Sequence, residues 1–120
     1  MTKFFVDSIL DAPLDEFALA TRQVVCSAAP ANFAGIAAVA LADVALDGSD
    51  FTKADGDVSG RKTTVAQQAT VPIDASGTAT HVAYDDGAAL LAVTECTSQV
   101  LTSGGTVTVP AHDAEFGDPT

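Results

Sequence analysis

Beyond Arg22 the chain is cut into short runs rich in valine and threonine, separated by glycine, proline and aspartate. No other feature constrains the fold as much. The runs read RQVVCSA, RKTTVAQ, ATVPID, TATHVAY, ALLAVTE, GTVTVPA and HDAEF. β-Branched residues pack well on a pleated, half-buried surface, and turn residues between them close each strand. In YDDGAAL, Asp85-Asp86-Gly87 stands between two apolar runs and marks a hairpin. In GTVTV, Thr106 and Thr108 alternate with Val107 and Val109 after Gly104-Gly105, which is strand periodicity after a turn. Pro72 and Pro110 restrict their strands to edges or bends. Strands at this spacing indicate a mainly β fold, an antiparallel β-sandwich or partly closed barrel.

The opening third reads differently. DSILDAPLDEFALA places Ile9, Leu10, Leu14, Phe17 and Ala18 at helical intervals. Asp11 can cap, Pro13 suits a first turn, and Asp15 and Glu16 favour the positive end of the helix. Because Pro13 would kink a helix begun at Asp7, one short helix is expected over Ala12 to Ala20. The preceding TKFFVDSI reads as an extended arm, with Phe4 and Phe5 on opposite sides of a strand. GIAAVALADVAL, from Gly35 to Leu46, fits neither the helical nor the strand period. The 120 residues suit one domain, with arm and helix over 1–21 and a β domain over 22–120.

Five basic against sixteen acidic residues give a net charge of −11. That charge opposes nucleic-acid binding, which depends on Lys and Arg neutralising phosphates, and opposes docking on anionic lipid. It favours a neutral or basic partner surface. With 48% apolar and 18% charged residues, the composition is that of a folded domain and not of a disordered acidic tail. No apolar run reaches the roughly 18 residues needed to span a bilayer; Phe33 to Leu46 is broken by Asp43. The first residues carry no basic-then-apolar leader pattern. A soluble, non-secreted protein is expected.

Residues capable of chemistry are few. DGSDFTKADGD offers Asp47, Asp50, Asp55 and Asp57 but lacks the register of a calcium loop, so these acids read as an exposed turn. GDVSGRK lacks the spacing of a phosphate-binding loop and reads as a turn leading into a strand. Arg61-Lys62, the only adjacent basic pair, starts that strand and is a candidate contact for an acidic partner. His112 precedes Asp113 directly, and consecutive strand residues point apart. There is no GxSxG elbow. A pairing of Cys96 with His81 is conceivable, but His81 reads better as a sheet residue, and Glu95 has no obvious carboxylate partner. Cys26 and Cys96 lack metal or redox spacing and read as small buried hydrophobes, with a disulfide left open. No catalytic, cofactor or metal site is expected.

Three stretches together, ADGDVSGRKTTV, ASGTATHVAYDDGAALLAV and LTSGGTVTVPAHDAEFGDP, resemble a group of short virion structural proteins of tailed bacteriophages. LATRQVVCSAAP, with Ala20, Thr21, Arg22 and Cys26, matches that group's ATR…C start. The likeness is carried by turn and strand signatures, and it departs in the phenylalanine-containing N-terminus and the Ala-rich Gly35 to Leu46 segment. It implies a non-enzymatic capsid decoration (cement) protein on the outer surface of the virion. Its partners would be the major capsid protein and its own copies, as a trimer or dimer. The alternative is a tail or head-fibre receptor-binding module. On this reading the docking residues are Phe4, Phe5 and Val6 of the arm, with Arg61 and Lys62.

Overall fold

A computed structural model describes residues 7–57 and 60–116. Among the described residues, nine strands form three antiparallel sheets. The largest holds β2 (Ala40–Ala45), β1 (Arg22–Cys26), β6 (Gly77–Asp85) and β7 (Leu90–Leu101), in that order. The second holds β3 (Phe51–Asp55), β4 (Arg61–Val65) and β9 (His112–Phe116), and the third pairs β5 (Gln68–Pro72) with β8 (Thr106–Val109). The expectation of a mainly β, antiparallel fold holds, and the sheets do not close into a barrel.

Alternation along the strands creates two cores. On β1 and β6, Val25, Val82 and Tyr84 join Leu41, Val65, Val71 and Val109 in a core shared by all three sheets. Their sequence neighbours Val24, Cys26 and Ala83 face the other way and pack on Ile36. That second face is covered by the segment the sequence left unassigned. It forms a 3-10 turn (Phe33–Gly35), a one-turn helix α2 (Ile36–Val39) and then β2. Neither period fitted because the segment changes conformation halfway. Asn32 starts it by accepting the Gly35 N–H at 2.8 Å on its side-chain oxygen.

Helix α1 spans Asp7–Phe17 and contains Pro13 in its interior. It therefore begins earlier than Pro13 suggested and stops short of Ala20. A proline inside a helix costs roughly 3 kcal/mol, and tertiary contacts on both sides of Pro13 offset it. Asp11 lies 3.0 Å from Arg61 and Asp15 2.7 Å from Lys53, while Leu14 is fully buried. Phe17 closes the helix edge-on against both Phe51 and Tyr84, at centroid distances of 5.4 and 4.9 Å.

The DGSDFTKADGD stretch is only partly a turn, since Phe51–Asp55 is strand β3. Asp47 and Asp50 cap the 3-10 turn before it, each side chain accepting a backbone N–H of that turn. The Asp85-Asp86-Gly87 hairpin forms as read, with Gly87 at φ +91°, a region that favours glycine. Asp85, buried at its start, accepts from Arg22 Nε at 2.8 Å and from the Gly87 N–H at 3.0 Å.

Candidate functional site

Four of the chain's five basic residues fall among the described residues, and each is held by the protein's own acids. Arg22 meets Asp85, and Lys53 meets Asp15 and Asp11. Arg61 meets Asp11 and Asp55 at 3.0 and 2.8 Å. Lys62 meets Asp57 and Asp113 at 2.6 and 3.3 Å, and the hydrogen bond to Asp57, then that to Asp113, raises its pKa. Arg61 and Lys62 do open a strand, β4, as the sequence indicated, but their charges are engaged within the chain. Asp55 and Asp57 are thereby ion-pair partners, while Asp47 and Asp50 are caps. Phe4, Phe5 and Val6 lie outside the described residues.

The histidines of the candidate pairs take other hydrogen-bond partners. His81 faces Glu95 across the β6–β7 ladder, and its Nδ1 is 2.8 Å from the Thr80 hydroxyl. Cys96 sits where the β7 register slips. Between the pairs His81–Glu95 and Ala79–Gln99, three residues of β7 stand against one of β6, a bulge. Both cysteines are free; Cys26 is buried as expected, whereas Cys96 is exposed. Partial desolvation raises the Cys96 thiol pKa, the reverse of what activates a nucleophile. His112 bonds to Tyr84 at 2.6 Å and not to the adjacent Asp113, whose carboxylate takes the Thr64 hydroxyl at 2.6 Å.

A groove of about 830 Å³ lies between two strand edges. One wall is the β7 stretch Leu91 to Thr97, and the other runs from Val109 through His112 to Ala114. Leu14 and Phe17 of α1 and Val82 of β6 supply apolar surface between them. Glu95 and Asp113 bring two acidic side chains to the lining. Among the described residues β7 pairs only with β6, and β9 only with β4, so each of these strands has an outer edge without a partner. Such an edge presents a row of backbone N–H and C=O groups.

β7 is a long edge, twelve residues against a usual five or six. It contains no lysine or proline, the residues that commonly blunt an edge, and its one charge is Glu95. Val100, near its end, is 77% exposed. Chemically the groove offers apolar contact and strand pairing, the means of holding an extended chain. In sequence, β7 is apparent only as ALLAVTE, and its extension to Leu101 is not. TSQV is exposed throughout and has neither the alternation nor the hydrophobicity that marks a strand in sequence. Comparison with protein families, with characterised proteins and with solved structures gave no match.

Proposed function

We propose that this protein is a non-enzymatic structural component of a bacteriophage virion, most specifically a decoration protein that binds and stabilises the outer surface of the capsid. The observation that carries the reading is a long unblunted strand edge beside an apolar groove on an acidic domain, a surface suited to assembly of repeated subunits. A cement protein works by shape and strand pairing and requires no reacting group. Its net charge of −11, with every described cation already ion-paired, suits an outer surface where it does not compete for packaged DNA. The likeness of its turn and strand signatures to short tailed-phage virion proteins supports the same reading.

The test is biochemical. Purified protein is mixed with heads lacking it, sedimented, and the particles are challenged by heat or osmotic shock. Saturable co-sedimentation that raises the rupture threshold supports decoration. Protein left in the supernatant, or host adsorption lost while heads keep full stability, rejects it.

A further inference from the structure

The groove between β7 and β9 also has features that identify its occupant. The geometry points to a strand exchanged between copies: residues 2–6 of a second copy lie along the β7 edge, one side of that strand on the apolar floor. This goes beyond capsid decoration and does not depend on it, since the exchange takes place in free protein.

Length agrees first. The five residues extended reach about 17 Å, most of the roughly 20 Å covered by a seven-residue strand such as Leu91 to Thr97. Composition agrees next. TKFFV is β-forming and apolar, carries Lys3 and has no acid before Asp7. Lys3 is the chain's one basic residue beyond the four held in described ion pairs, and the groove it would enter is lined by Glu95 and Asp113. Period-two alternation places Phe4 and Val6 together toward Leu14, Phe17 and Val82, with Lys3 and Phe5 on the opposite side.

Direction selects a second copy over the chain's own arm. Helix α1 runs parallel to β4. Asp11 meets Arg61, Asp15 meets Lys53 (across from Thr63), and Phe17 packs on Phe51 (across from Val65). Its first residue therefore lies toward and beyond the end of the sheet where Arg61 pairs with Phe116. Chain continuing that axis backward leaves the body, whereas entering its own groove requires an immediate reversal. The exchange is reciprocal in a dimer or runs around a ring in a trimer.

Cys96, exposed and lining the groove, provides the test. Thr2→Cys, Phe4→Cys and Val6→Cys variants of the full chain are oxidised separately and run on non-reducing gels beside the unsubstituted protein. At least one should form a covalent oligomer above the unsubstituted background, lost when Cys96→Ser is added, with the link mapped to Cys96. In parallel, Phe4→Ser/Val6→Ser should move the self-association midpoint at least about tenfold to higher concentration, with an unchanged circular dichroism spectrum. A link to Cys96 within one chain overturns the exchange, because the arm then occupies its own groove. So does background-level linking in all three variants, or self-association unaltered by the double substitution in a folded protein.

Discussion

The phenolic oxygen of Tyr84 lies 2.6 Å from Nε2 of His112, and this contact ties the four-stranded sheet to the three-stranded one. The direction of the bond follows from its neighbours. Gln23 Nε2 donates to the Tyr84 oxygen at 2.8 Å, and the Pro110 carbonyl beside His112 Nδ1 can only accept, so in the neutral imidazole Nε2 is the acceptor and takes the phenolic proton. The imidazole proton then sits on Nδ1, 3.4 Å from the Pro110 carbonyl. The Tyr84→Phe substitution leaves the buried Gln23 amide without this partner, and Gln23 Oε1 is already unpartnered. A loss of about 1–3 kcal/mol is expected, read as a lower Tm. Nitrogen NMR should show the Nδ1–H tautomer of His112; an Nε2–H tautomer contradicts the assigned direction.

Alkaline sensitivity follows from two buried acids. Burial pushes the Tyr84 hydroxyl from its ordinary 10.0 to about 12, with the Gln23 hydrogen bond opposing. Burial likewise pushes the Cys26 thiol from 9.0 to about 11, against the pull of Arg22. Each folded pKa lies above its unfolded value, so the stability each contributes is complete below the unfolded pKa and is lost as pH rises through the folded one. Tm should fall from about pH 9 to pH 12. The Cys26→Ala variant should fall less steeply between pH 9 and 11. Equal slopes for the two proteins refute the thiol's share.

Buried Asp85 makes a prediction about order of damage. Its carboxylate is 1% exposed and depends on Arg22 and the Gly87 N–H. Removing the cation alone, in Arg22→Met, leaves a buried charge and should cost about 1–3 kcal/mol. Adding Asp85→Asn should recover part of that loss. A double variant less stable than Arg22→Met in urea unfolding disproves the uncompensated-charge explanation.

Gly77 is closely packed. A Cβ there would stand 2.9 Å from Leu41 Cδ2, and Leu41 is buried in the shared core. The Gly77→Ala variant should lose about 1–3 kcal/mol through overpacking. Pairing it with Leu41→Ala should make the two losses non-additive, measured by a double-mutant cycle. Simple additivity means the two side chains do not meet.

What the sequence disclosed was local. The hairpin at Asp86-Gly87 and the strands begun by Arg22 and Arg61 were legible because turn chemistry and alternation act within a few residues. The start of α1 was not. Its passage through Pro13 depends on Arg61 and Lys53, distant cations that no local pattern shows. Phe51–Asp55 was hidden because only Phe51 is partly buried and the other residues are exposed, so Asp55 looked like a loop residue. The groove was invisible for a similar reason. Its walls come from residues 91–97 and 109–114, and only the sheet order makes both of them edges.

The arm also bears on docking to a shell. The Phe4→Ala/Phe5→Ala double variant should fold yet fail to decorate particles, since full burial of one phenylalanine contributes roughly 1.5–3 kcal/mol. Normal occupancy by this variant would show that the docking surface does not include the arm.

Quantitative mass spectrometry of purified virions, before and after mild surface proteolysis, tests capsid decoration most directly. A decoration protein is present in copy number comparable to the shell protein and is removed by protease while the heads stay intact. Absence from the virion, or a copy number matching a tail fibre, contradicts it.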